Sequence, residues 1–121
     1  MFLVTINKGK RLLYLVYHGR VESAELRRAR DESAAMLDDF EPGFRVLVDF
    51  ERMESMSTNA AGEIGKLMEL VEQRGVGLVV RVIPDASKDI GFNILAAFHY
   101  KKAVPTVTCE SMQEAAKVLE L

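Results

Sequence analysis

The N-terminal part of the chain consists of short apolar runs that are typical of β-strands. The segments "FLVTIN" and "RLLYLVYHG" are rich in β-branched and aromatic residues, which favour strands. The "KGK" between them contains Gly9, which can take the positive φ that a tight turn requires. We therefore predict an N-terminal β-hairpin.

After the hairpin, the apolar positions take the spacing of a helix. The residues that would share one helix face are Leu26, Ala29, Ser33, Met36 and Phe40, and such a face packs on a core. Ser23 is the predicted N-terminal cap, and "EPG" at 41–43 ends the pattern. The first helix therefore follows the hairpin directly.

Two long apolar runs predict the inner strands of a sheet. "FRVLVDF" and "GLVVRVI" are apolar at successive positions, as expected where helices cover both faces of a strand. Between them we predict a helix over about 58–74, with Gly75 as its stop. A third helix is predicted within "SKDIGFNILAAFHYKK", at 87–102.

The C-terminal part supplies one more strand and one more helix. "VPTVTC" contains Pro105, which cannot donate to a strand ladder and so indicates a sheet edge or a strand start. "SMQEAAKVLEL" begins with Ser111 and has Glu114 three residues later, the pattern of a capping box. The resulting order, ββαβαβαβα, predicts one α/β domain over 1–121, with a mostly parallel sheet and an antiparallel N-terminal strand.

Composition narrows the classes of function. The formal net charge is −2, so no basic surface for nucleic acid or an anionic membrane is predicted. The longest apolar run, "VGLVVRVI", is far below the roughly 18 residues that span a bilayer. Cys109 is the single cysteine, which excludes an internal disulfide and a thiolate metal site and favours a reducing cytoplasm. We predict neither a metal nor a cofactor.

Candidate chemistry lies where the parallel strands end, because their carboxyl ends share one sheet edge. The polar residues at this predicted edge include His18, Asp49, Asp85 and Cys109. An enzyme would need a set such as Cys109 with His18 within hydrogen-bond reach. Two histidines and one cysteine, without a glycine-rich phosphate loop, give no credible catalytic set. The prediction is therefore a protein that is not an enzyme.

Two glycines weaken the start of the second predicted helix. Gly62 and Gly65 lie in its first turns, and each costs about 1 kcal/mol relative to alanine in a helix. Such a cost indicates that something approaches the backbone closely. Tight packing inside the protein and docking of a partner on the small-residue surface are both open interpretations.

The chain resembles the STAS domain, which is typified by bacterial anti-sigma-factor antagonists. The resemblance rests on "VLVDF" as a buried strand, "MESMSTNAAG" as loop and helix start, "LMELVEQRG" as helix end, and "PTVTCESMQEAAKVL" as closing strand, turn and helix. The family motif, Asp-Ser-Ser/Thr-Gly, falls on Ser57, Thr58, Asn59 and Ala60. Only the hydroxyl of the second position is kept, on Thr58.

The resemblance implies a regulatory or interaction module that binds a protein partner, such as an anti-sigma factor or another kinase-like regulator. It implies control by phosphorylation at the start of the second helix, with Thr58 or Ser57 as acceptor, although either hydroxyl also suits a helix cap. Docking is predicted on the loop 51–59 and the helix face after it. The candidate partner-binding residues are Asp49, Met56, Asn59, Gly62 and Gly65.

Two further expectations accompany this interpretation. A SEC14-related branch of STAS-like proteins implies an alternative, binding of a small apolar, lipid-like ligand, with a pocket formed by Met53, Met56, Phe92 and Phe98. In addition, the N-terminal hairpin leaves a sheet edge that must be covered, blunted or paired, which makes a homodimer a candidate assembly.

Overall fold

A five-stranded sheet organises the protein, as a computed structural model shows for residues 1–57, 59–83 and 104–121. The order of strands in the sheet follows the order in the sequence, β1-β2-β3-β4-β5. The described elements are β1 (Phe2–Asn7), β2 (Leu12–Val21), α1 (Ser23–Leu37), β3 (Arg45–Met56), α2 (Ala60–Gln73), β4 (Leu78–Val82), β5 (Thr106–Cys109) and α3 (Met112–Leu119). The predicted α/β class is confirmed.

The strand directions agree with the predicted topology. Strand β1 is antiparallel to β2, and β2, β3, β4 and β5 are mutually parallel. Helices α1 and α2 pack on the same face of the sheet, as right-handed crossovers require when the strands advance in one direction. Helix α3 packs on the opposite face, against β4 and β5.

Alternating side chains divide the core between the two faces. On the α1 and α2 face, β2 and β3 bury residues such as Leu15, Tyr17 and Phe50. On the α3 face, Leu47 and Val82 pack against residues that include Leu119. Each inner strand therefore has apolar residues on both sides, which explains its continuous apolar sequence.

The predicted hairpin is present, but its turn is built differently. The six-residue strand β1 pairs with β2 from Phe2 opposite Tyr17 to Asn7 opposite Leu12. The positive φ in this turn belongs to Arg11, at 52°, whereas the prediction gave it to Gly9. The Lys8 carbonyl accepts a hydrogen bond from the Arg11 amide at 3.2 Å, which holds this turn.

The predicted N-cap residue is wrong for α1 and correct for α3. Helix α1 begins at Ser23, and Glu22 is its N-cap, so the prediction of Ser23 as the cap is wrong by one residue. The reason is that β2 continues to Val21 and leaves no room for a longer turn. In α3 the predicted cap is confirmed, because the Ser111 hydroxyl oxygen accepts from the Glu114 amide at 3.2 Å.

Strand β3 is longer than the sequence indicated. The predicted loop over 51–59 is wrong for its first part, because Glu51–Met56 continue the strand and pair with β2. Two register shifts interrupt this pairing, one between Val16 and His18 and one between Gly19 and Arg20. Strand β4 pairs only with Arg45 to Asp49. The second half of β3 therefore has β2 as its sole strand neighbour among the described residues.

The third predicted helix, at 87–102, lies outside the described residues. None of the helices that the structure describes is long and apolar enough to cross a membrane.

Candidate functional site

The candidate site is the connection between β3 and α2. The Ser57 amide donates to the Val21 carbonyl at 3.0 Å, and the Ser57 carbonyl accepts from the Ala60 amide at 3.0 Å. These bonds fix the backbone of Ser57 to the end of β2 and to the first turn of α2. The Ser57 hydroxyl oxygen is buried and has no hydrogen-bond partner in the described part of the chain. Ser57 is therefore not the predicted helix cap.

The residue at the N-cap of α2 is Asn59. Its side chain is exposed and makes no capping hydrogen bond. The first turn of a helix carries unpaired backbone amides and a partial positive charge, which favour an anion. Thr58, the leading candidate acceptor, lies outside the described residues. Its sequence neighbours Ser57 and Asn59 lie at the N-terminal end of α2, where the helix dipole stabilises a negative group.

The two glycines of α2 have different environments. Gly62 is exposed, and a Cβ placed on it would meet nothing within 4 Å. Packing among the residues that the structure describes therefore does not account for Gly62. Gly65, by contrast, is buried, so it does not belong to the exposed surface where it was predicted. The exposed residues that follow one another along this helix are Asn59, Gly62, Lys66 and Gln73, which we call the outer stripe of α2.

Sequence reasoning did not single out Glu63, which joins the two helices of this face. Glu63 is 8% exposed, and its carboxylate lies 3.3 Å from an Arg30 guanidinium nitrogen and 3.5 Å from the Lys66 ammonium. A carboxylate in the first turn is also favoured by the helix dipole. The apolar spacing of α2 gave no sign of this pair, because the partner Arg30 is 33 residues away in sequence.

Asp49 does not lie beside the outer stripe of α2. It is 9% exposed and alternates with residues of the α2 face, so its side chain is on the opposite face of the sheet. One of its oxygens accepts a hydrogen bond from the Glu51 amide at 2.9 Å, beside the first register shift of β3. This contact is structural. Burial, and then the charges of Asp49 and Glu51, raise the pKa of the neighbouring Tyr14.

An apolar cavity of about 50 Å³ lies between the sheet and α2. Its lining includes Tyr17, Phe50 and Met68, together with Arg81, which is 2% exposed. Met53 is buried and Met56 is half-buried near the same core, but neither lines this cavity. Phe92 and Phe98 lie outside the described residues. The predicted four-residue pocket therefore stays a prediction.

Cys109 and His18 are too far apart to act together. In the sheet register, Cys109 is the neighbour of Val82 on β4, Val82 is the neighbour of Asp49 on β3, and Asp49 is the neighbour of Val16 on β2. Three strand spacings of about 4.8 Å separate Cys109 from β2 by about 14 Å. Burial, and then Glu114, raise the pKa of the Cys109 thiol, which lowers its reactivity. The hypothesis that Cys109 and His18 act as a catalytic pair is therefore wrong. Asp85 and the second histidine, His99, lie outside the described residues.

Solved structures share this arrangement of strands and helices. An uncharacterized protein of the DUF3478 family from Shewanella loihica, with a SpoIIAA-like fold, has a TM-score of 0.75 at 15% identity, over 98% of this chain and 93% of that one. The anti-sigma factor antagonist SpoIIAA in its unphosphorylated form has a TM-score of 0.67 at 13% identity, over 99% and 98%. The chain has the SpoIIAA-like fold.

A third solved structure extends the comparison. An anti-sigma factor antagonist from Mycobacterium paratuberculosis has a TM-score of 0.59 at 16% identity, over 100% of this chain and 94% of that one. No protein-family model and no curated protein matches the sequence. At such low identities the comparison establishes the SpoIIAA-like fold and leaves function to the site.

Proposed function

We propose that this protein is a non-enzymatic regulatory module of the cytoplasm that binds a protein partner through the start of α2. The solved structures with the same fold include two anti-sigma factor antagonists, so an anti-sigma factor or another kinase-like regulator is the class of partner that we infer. Asn59 and the outer stripe of α2 form the docking surface. Met56, which is half-buried at the end of β3 and packs against the core, is the remaining candidate contact residue.

The observation that carries this proposal is the environment of Gly62. A glycine costs about 1 kcal/mol in a helix relative to alanine, and no contact within the described part of this protein accounts for that cost. A partner whose backbone or side chains lie directly on the helix surface would account for it, because only glycine leaves that surface free. Gly62 therefore marks the centre of the docking surface.

Replacing Gly62 by Ala should leave the protein folded and weaken partner binding. The methyl group projects from the outer stripe of α2 into open space in the free protein and into the partner in the complex. Native affinity capture with the parent chain identifies the partner, and titration calorimetry then compares the two chains. Replacing Glu32, which is exposed on α1 and outside the outer stripe of α2, by Ala is the control. Unchanged affinity in the Gly62 variant would remove Gly62 from the interface.

We further propose that phosphorylation of Thr58 controls this docking. Of the two candidate acceptors, Ser57 has a buried hydroxyl, which a kinase cannot reach without local opening. A phosphate on Thr58 would lie at the start of α2, where backbone amides and the helix dipole stabilise it. SpoIIAA has also been solved in a phosphorylated form, with a TM-score of 0.61 at 14% identity. The added charge would then act on the partner.

The variants Thr58→Asp and Thr58→Ala separate control from structure. Both should remain folded, and Thr58→Asp should gain up to about 1 kcal/mol from the helix dipole. Control by phosphorylation predicts that Thr58→Asp loses the partner while Thr58→Ala keeps it. Calorimetric binding and thermal unfolding measure the two properties separately. If Thr58→Asp binds as tightly as the parent, Thr58 is not a switch.

Binding of a small apolar ligand is a second proposal, to which the cavity beside Tyr17 gives limited support. Its volume of about 50 Å³ is roughly a third of the 150 Å³ that holds a benzene molecule in an engineered protein cavity. A lipid-like ligand would therefore require the helices to move apart. Native mass spectrometry of gently purified protein would show the added mass of such a ligand; a mass equal to that of the chain alone contradicts it.

A further inference from the structure

The outer edge of β1 is open in the part of the chain that the structure describes. Strand β1 stands at the end of the sheet and pairs with β2 alone among the described strands. Its six residues, "FLVTIN", include no charged residue and no proline. Edge strands of soluble proteins are usually protected from pairing by such residues, by bulges or by a covering segment. Strand β1 carries neither of the two sequence devices.

The hydrogen bonds at the start of β1 show which backbone groups point to the open edge. The Met1 nitrogen donates to the His18 carbonyl at 2.8 Å, and the His18 amide donates to the Met1 carbonyl at 2.7 Å. Such mutual pairs alternate along antiparallel strands, so Leu3, Thr5 and Asn7 also direct their backbone groups toward β2. The amides and carbonyls of Phe2, Val4 and Ile6 consequently point away from the sheet.

Two side chains of β1, Leu3 and Thr5, are exposed on one face of the sheet. Leu3 and Thr5 lie on the face of the sheet opposite α1, and α3 packs over β4 and β5 rather than over β1. Leu3 is 58% exposed, and Thr5 is exposed as well. A segment that added a strand to β1 would therefore also cover an apolar side chain.

We propose that two copies of this chain associate through β1, in antiparallel pairing about a two-fold axis at Val4. Val4 then pairs with Val4 of the second copy, Phe2 pairs with its Ile6, and Ile6 pairs with its Phe2. Each of these three pairs exchanges two backbone hydrogen bonds, about six in all. The two five-stranded sheets become one continuous sheet. Leu3 of each copy lies opposite Thr5 of the other on the open face.

A second copy suits this edge because the edge is complementary to itself. The open backbone groups are spaced evenly on both sides of Val4, so the same strand turned by a half rotation meets donors with acceptors. The charged groups at the two ends of β1 are each paired within the chain. At one end of β1 the Met1 nitrogen is paired with Glu25 at 3.0 Å, and at the other Lys8 is paired with Asp39 at 3.4 Å.

The expected association is reversible. One pair of six-residue strands, with a single exposed leucine per copy, buries less surface than the roughly 1,200–2,000 Å² that stable complexes usually bury. We therefore expect a dissociation constant in the micromolar range, roughly 10–100 µM. Sedimentation equilibrium of the parent chain from about 5 µM to about 500 µM should show the average mass rising from one chain toward two.

Two double variants test the register of the pairing. Leu3→Lys with Thr5→Lys places lysines directly opposite each other in the dimer, twice by symmetry. Leu3→Lys with Thr5→Glu places a lysine opposite a glutamate instead. Both alter the same exposed positions, so their effects on the free chain are matched. Like charges directly opposite on neighbouring strands repel, and we expect the first variant to raise the dissociation constant about tenfold relative to the second.

The outcomes decide the proposal independently of partner binding at α2. Circular dichroism first confirms that both variants are folded. A parent that stays monomeric at the highest concentration overturns the proposal. Equal dimerisation of the two variants overturns it too, because another surface would then join the copies. As a further check, Val4→Pro removes an amide that points to the open edge and should weaken the dimer, provided that circular dichroism shows the variant to be folded.

Discussion

Replacing Tyr17 by Ala is expected to lower the free energy of unfolding by about 3–5 kcal/mol. The Tyr17 side chain is 2% exposed, and its ring stacks on that of Phe50 with centroids 5.1 Å apart. The Phe2 ring lies 6.2 Å away on the other side. A cavity of about 50 Å³ already borders Tyr17, so loss of the ring enlarges a void that the strand backbone cannot close. Urea denaturation followed by circular dichroism measures the loss.

The matched control is Tyr17→Phe, which keeps the ring and removes the hydroxyl. It should change the free energy of unfolding by no more than about 1 kcal/mol, the typical net contribution of one hydrogen bond. If the alanine and phenylalanine variants lose the same amount, the hydroxyl and not the aromatic stack stabilises this part of the core.

The second large effect is expected at Gly75, where alanine should cost about 2–4 kcal/mol. Gly75 ends α2 with a φ of +86°, a conformation that residues with a Cβ adopt only with strain. A Cβ there would also lie 2.7 Å from Pro42 Cβ and 3.2 Å from Pro42 Cα. The backbone atom cannot move aside as a flexible side chain would. Thermal and urea unfolding should both report the loss.

Gly62→Ala is the contrasting substitution in the same helix. The site has open space and no positive φ, so alanine should stabilise the free protein by about 0.5–1 kcal/mol. The same chemical change should thus have opposite signs at the two ends of α2. A loss of stability at both positions would contradict the environments that the structure gives these glycines.

The sequence was informative where one physical effect dominates. The runs around Leu47 and Val80 are apolar on both faces, and only inner strands covered by helices bury such runs completely. Glycine at position 75 is required by the backbone, so the end of α2 followed directly from its sequence. The Ser111 cap was likewise predictable, because its partner, the Glu114 amide, is only three residues away.

The sequence was misleading where the deciding contact is distant. The segment from Glu51 to Met56 is polar and looked like a loop, but backbone pairing with β2 makes it a strand. Backbone hydrogen bonds between strands do not require apolar side chains, so the hydrophobic pattern of the sequence does not show them. The Ser57 hydroxyl suits a cap, yet the bond from its amide to Val21 turns the chain so that α2 begins later, at Ala60. Local propensity does not contain these long-range contacts.

Strand β3 is supported unequally along its length, and this gives the protein two levels of local stability. From Arg45 to Asp49 it lies between two strands, whereas from Arg52 to Met56 it pairs with β2 alone in the part of the chain that the structure describes. Backbone segments with fewer neighbours open at a lower free energy than the whole protein unfolds. We therefore expect the outer half of β3 to separate from β2 at a lower free energy than the centre of the sheet. Since this half leads into Ser57, its opening exposes the hydroxyl that is buried in the closed form.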